Sequence, residues 1–148
     1  MPSQLSSLLQ QSHSAPVKYI KDVPHIVKPM LNLFKTKPKH SWINLESVQQ
    51  LQEILDESKT NGTRVALFKH STRCSISSMA KSRLESASQE NWPPFYLLDL
   101  IQFREVSSAI AEKLTVVHES PQLLIVENGK CVFSSTHSAI HPKDLPKQ

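Results

Sequence analysis

Cys74 stands in the stretch Lys69-His70-Ser71-Thr72-Arg73-Cys74-Ser75-Ile76-Ser77, whose residue types suit thiol chemistry. The thiolate is the nucleophile in disulfide exchange, and nearby cations and a helix N-terminus both favour it. Arg73 is adjacent, and Lys69 and His70 fall within the same predicted polar turn. Such a polar, serine-rich setting is a poor one for an inert core thiol, so Cys74 is expected to react. A dithiol enzyme would carry a second cysteine at position 77, where this chain has Ser77. That excludes a two-cysteine cycle within the motif and leaves a one-thiol route. Cys74 would attack a mixed disulfide, take a small thiol onto itself and be regenerated by a second small thiol. Ser75 and Ser77 complete the support around the cysteine, Ser77 either hydrogen-bonding the thiolate or serving as an ordinary first-turn residue. A Cys74 that is modified without turnover would instead make a non-catalytic redox sensor or binding module.

The other cysteine, Cys131, lies beside Val132 and Phe133 and is expected to be buried and inert. His137 and His141 follow it, but without a close cysteine pair the spacing predicts no metal site. Neither a glycine-rich phosphate loop nor a pair of carboxylates at a catalytic spacing is present, and no bound cofactor is expected.

Those residues need a scaffold, and 148 residues with 39% hydrophobic content suit one domain. Residues 1–40 hold six lysines and one acid, a net charge of +5, whereas residues 41–148 carry −1. The basic balance therefore belongs to a Pro/Lys/Ser-rich N-terminal extension, read as a solvated charged segment. The rest gives no electrostatic reason to expect nucleic-acid binding. Two cysteines form no disulfide framework and fit a reducing compartment. No apolar run approaches the ~18 residues of a membrane span, and the N-terminus lacks a secretory pattern. A cytoplasmic location without stable membrane association is the expectation.

The domain over 41–148 reads as alternating elements. Trp42-Ile43 predicts a short strand, and Asn44 a cap for a helix with Leu45, Val48, Leu51 and Leu55 on one stripe, ended by Asn61-Gly62. Val65–Phe68 is an apolar run that predicts a buried strand. Beyond the polar turn, Ile76, Met79, Ala80, Leu84 and Ala87 predict a helix with an apolar stripe. Phe95–Leu100 predicts a strand, and Phe103, Val106, Ile110 and Leu114 a third helix. Leu123–Val126 and Cys131–Phe133 predict two strands joined by the hairpin signal Asn128-Gly129, and the end from Ser138 a short helix. Alternation followed by a hairpin implies an α/β protein with a central mixed sheet flanked by helices, the order of a thioredoxin-like fold. In that fold the loop after a central strand is a ligand position, and Cys74 occupies it. The fold also carries a cis proline beside the active cysteine, which assigns that form to Pro121 in His118-Glu119-Ser120-Pro121-Gln122. The backbone of Ser120 would then pair with an incoming substrate chain as an added strand. His118 reads as a loop residue or a supporting group rather than a proton donor.

The two stretches Phe68–Ser77 and His118–Gln122 together resemble the monothiol bacilliredoxin family, over about residues 41–142. The resemblance implies a thioredoxin-like fold and an activity that removes bacillithiol from cysteines of oxidised proteins. It implies Cys74 as the nucleophile, Pro121 as the cis proline, S-thiolated proteins as partners and bacillithiol as the low-molecular-weight co-substrate. Members often carry proline after the active cysteine, where this chain has Ser75.

Overall fold

A computed structural model describes residues 42–87 and 91–146. The N-terminal extension, residues 1–40, lies outside the described residues, as do the last two positions of the chain.

The strands are β1 (Ile43–Asn44), β2 (Val65–His70), β3 (Phe95–Asp99), β4 (Gln122–Glu127) and β5 (Lys130–Thr136). The helices are α1 (Val48–Asn61), α2 (Ser75–Glu85) and α3 (Arg104–Leu114), followed by single 3-10 turns at His137–Ala139 and Pro142–Asp144. One sheet of order β1-β3-β2-β4-β5 joins them. β1, β3 and β2 run parallel, and β4 and β5 are antiparallel to their neighbours. Both faces of β2 are covered, and its side chains alternate between two cores. Val65 and Leu67 join Leu51, Leu55, Val106 and Ile110 from α1 and α3. Ala66 and Phe68 join Ala80 and Leu84 of α2, with Phe95, Leu123, Ile125 and Ile140. A strand buried on both faces needs an unbroken apolar run, which is why Val65–Phe68 was legible as one.

Turn chemistry sets the boundaries. Gly62 ends α1 at φ +65°, and Asn128 and Gly129, at φ +53° and +70°, form the β4–β5 hairpin. The third-helix stripe is as expected at Val106, Ile110 and Leu114, which are buried, whereas Phe103 is the half-buried N-cap before the helix.

Four expectations change. α1 is capped by Ser47, whose hydroxyl accepts from the Gln50 N–H at 3.1 Å, and not by Asn44, which pairs in β1. Leu45 is buried in the loop before that helix. On α2, Ile76 and Met79 are exposed, and the buried face is Ser77, Ala80 and Leu84. Finally, Lys69 and His70 belong to β2 rather than to a turn: the strand continues two residues past its apolar run, and both side chains are buried. Cross-strand pairing of Lys69 with Leu98 and with Gln122 carries the ladder that far.

Candidate active site

β2 is the strand at which pairing changes from parallel to antiparallel, and the chain leaves its C-terminal end into the turn that carries Cys74. In open α/β sheets such a position gathers ligand sites, because neighbouring connections diverge there. The Cys74 N–H donates to Ser71 O at 3.2 Å, closing the turn, and Cys74 is the N-cap of α2. The first intrahelical bond runs from the Ser78 N–H to Cys74 O at 3.0 Å. The amides of Ser75, Ile76 and Ser77 therefore precede the helical ladder, and their dipoles favour negative charge at the cap. Cys74 is half-buried, and Thr72, Arg73 and Ser75 are exposed around it.

Ser77 is fully buried, and its hydroxyl is committed to the turn. It accepts from the Ser71 N–H at 3.0 Å and meets His70 Nδ1 at 2.6 Å. His70 stacks on Phe68 with ring centroids 6.0 Å apart. Burial, then Lys81, lowers the His70 pKa against the opposing pull of Asp99 and Glu85. Through its contacts with the Ser71 N–H and with His70 Nδ1, this one serine ties both flanks of the turn. The expected cations Lys69 and His70 thus make their hydrogen bonds away from the cysteine, and Arg73 is the cation adjacent to it in the chain.

Lys69 enters a second cluster that sequence reasoning missed. Its ammonium donates to His118 Nδ1 at 2.8 Å and to Gln122 Oε1 at 3.0 Å. Burial, opposed by the charge of Glu119, lowers its pKa from 10.5 to about 8. His118 is likewise lowered by burial and then by Lys69, with Glu119 opposing. Gln122 Oε1 also accepts from the Glu119 N–H at 3.3 Å, while its Nε2 donates to Val117 O at 3.0 Å and Ser134 Oγ at 3.3 Å. A buried lysine and a buried glutamine thereby pin both ends of the loop 117–122. The available signal was polar residues bordering two apolar strands, but single residues do not disclose that Lys69 and Gln122 face each other.

Within that loop the Ser120–Pro121 bond is cis, Pro121 is buried, and Ser120 Oγ is buried with no hydrogen-bond partner among the described residues. The Pro121 carbonyl accepts from the His137 N–H at 3.0 Å.

Cys131 is only half-buried. Its thiol donates to Phe133 O at 3.2 Å, and burial raises its pKa. It pairs with Val126, which pairs with Val65 at the start of β2, whereas Cys74 follows the end of that strand. The two sulfurs thus sit toward opposite ends of the sheet, separated by roughly 16 Å of strand at about 3.3 Å per residue. Among the described residues, no three His, Cys, Asp or Glu side chains gather as a metal site would require, and no helix is long and apolar enough to cross a membrane.

The profile of the family described as "Monothiol bacilliredoxin BrxC" matches residues 43–145. A solved structure described as a candidate oxidoreductase with a thioredoxin fold is 33% identical, with a TM-score of 0.61, over 69% of this chain and 88% of that one. Thioredoxin from Malassezia sympodialis aligns at 17% identity and a TM-score of 0.54, over 72% of this chain and 85% of its own. Thioredoxin O2 from Arabidopsis thaliana does so at 17% and 0.54, over 68% and 85%. At those identities the two thioredoxins speak for the fold alone, which is the thioredoxin fold.

Proposed function

The chain belongs to the monothiol bacilliredoxin family, and from that premise we propose that it is a thiol-disulfide oxidoreductase that strips a small thiol from mixed disulfides on oxidised proteins. Family and fold support a thiol redox role. The observation that carries the finer reading is the pairing of Cys74 at the N-cap of α2 with a buried Ser77 where a second thiol would stand.

The Cys74 thiolate attacks the small-thiol sulfur of a protein mixed disulfide. The protein cysteine leaves as a thiolate and takes a proton, and Cys74 now holds the small thiol in a disulfide. A second small-thiol thiolate attacks that adduct, restoring Cys74 and releasing the symmetric small-thiol disulfide. The two electrons delivered to the protein cysteine come from the small thiol. Dipoles of the α2 first turn supply the electrostatic support for the thiolate. The exposed Thr72, Arg73 and Ser75 form the approach, and the backbone of Ser120, beside the cis Pro121, pairs with the incoming chain. Ser77 acts by fixing the turn through His70 and Ser71. Membership of the family supports bacillithiol as the co-substrate, and such chemistry suits a reducing cytoplasm.

The test is intact-mass spectrometry after mixing the protein with a bacillithiol-modified substrate. Transfer of one adduct to wild type and to Cys131→Ala, but not to Cys74→Ala, with release by free bacillithiol, is the expected result. An adduct that forms and stays after free thiol is added would make the chain a redox sensor instead. An unreactive Cys74 would leave a thioredoxin-fold binding module.

A further inference from the structure

A cavity of about 320 Å3 opens beside loop 117–122, lined by Leu100, Ile101, Arg104, Ser107, Ser108 and His118. It sits at the sheet end that carries Cys74. The Leu100 N–H donates to His70 O at 3.0 Å, and His118 begins the loop that leads to Pro121. Its volume lies at the small end of the range for ligand pockets.

Two polar side chains of this cavity, Arg104 and His118, are donors. Lys69 reaches His118 Nδ1 from the sheet side, and an ammonium has no lone pair, so Nδ1 must accept. That fixes the proton of the neutral ring on Nε2, the nitrogen left for the cavity. Ser107 Oγ lies 3.2 Å from the same Nδ1, and Ser108 Oγ donates to Arg104 O at 3.2 Å, so both hydroxyls are already placed. Among the described residues, the Arg104 guanidinium enters no ion pair and no side-chain hydrogen bond. No carboxylate lines the cavity; the Glu119 carboxylate, 3.9 Å from His137 Nε2, is the negative charge that acts on Lys69 and His118 from outside the lining. Two donors, one of them a guanidinium shaped for a carboxylate, stand over an apolar patch of Leu100 and Ile101, with the buried Lys69 ammonium behind them.

We propose that this cavity holds a carboxylate of the small-thiol co-substrate, with Arg104 and His118 Nε2–H as its ligands and Leu100 and Ile101 against its carbon skeleton. The inference rests on the monothiol reading for the identity of the ligand, but not for the existence of the anion site.

The experiment titrates succinate, and separately succinamide, into full-length reduced protein followed by amide NMR. Saturable shifts centred on residues 100–108 and 118 with succinate but not succinamide are expected, weakened about tenfold or more in Arg104→Gln. No saturable succinate binding, or equal binding by Arg104→Gln, overturns the site. A second arm compares N-acetylcysteine with its amide as the thiol that discharges the Cys74 adduct. Arg104→Gln should raise KM for the acid about tenfold, leave the amide unchanged and preserve kcat. If it changes KM only for the modified protein, the cavity serves acidic protein substrates and the proposal fails. Failure of Cys74 exchange would leave the succinate result standing, and failure of succinate binding would leave exchange standing, so the two readings are separable.

Discussion

His70 Nδ1 and Ser77 Oγ meet at 2.6 Å across the turn that carries Cys74, joining the last residue of β2 to the first turn of α2. The same hydroxyl holds the Ser71 N–H at 3.0 Å, so the residue that replaces a second thiol is a structural clasp.

Removing that clasp leaves a buried imidazole nitrogen and a buried backbone N–H without partners. Ser77→Ala is expected to cost about 1–3 kcal/mol of stability, read by urea unfolding. Ser78→Ala, one position on, removes an exposed hydroxyl that donates to Cys74 O at 3.2 Å and should stay within about 0.5 kcal/mol. Equal effects of the two would contradict the clasp.

Cys131 lies beside Val126 and Cys74 beyond the other end of β2, so the thiols cannot meet without unfolding the sheet. Cys74→Ala should abolish small-thiol transfer, and Cys131→Ala should retain most of it. Comparable losses in mass-detected transfer would sink the one-thiol scheme.

The amine of Lys69, depressed from 10.5 to about 8, makes a pH signature. Between those values the unfolded chain binds more protons than the folded one, so this group adds stability as pH rises. Below about pH 8 the ammonium is present in both states and its burial cost is complete. Lys69→Met removes the titration. Its stability relative to wild type should therefore fall by about 1–3 kcal/mol between pH 8 and pH 10.5. Denaturant midpoints measured for both proteins across that window check it, and a constant difference would rule out a depressed amine.

Glycine geometry separates fold from chemistry. A Cβ at Gly129 would lie 3.2 Å from Leu55 O and 3.3 Å from Lys59 Cβ at φ +70°, whereas at Gly62 the nearest atom is Asn128 Oδ1 at 3.6 Å. Gly129→Ala should cost about 2 kcal/mol or more, and Gly62→Ala nearer 1 kcal/mol, because both strain the backbone but only the first also crowds it. Thermal unfolding ranks them. Both lie at the hairpin end of the sheet, away from Cys74, and thiol transfer per folded molecule should not change.

By itself the sequence determined the element order, the central buried strand, the Asn-Gly hairpin and the position of Cys74 at the start of a helix. These are local: an apolar run, a left-handed turn and a helix start are each written within a few neighbouring residues. The tertiary structure decided the length of β2, because Lys69 and His70 are polar and only their pairing partners on β3 and β4 keep them in the ladder. It decided which face of α2 is buried, since the neighbouring core selects Ser77, Ala80 and Leu84 over Ile76 and Met79. It also decided what the polar residues do. Lys69 lies far from His118 and Gln122 in the chain; sheet register sets it opposite Gln122, and the loop before β4 brings His118 to the same ammonium.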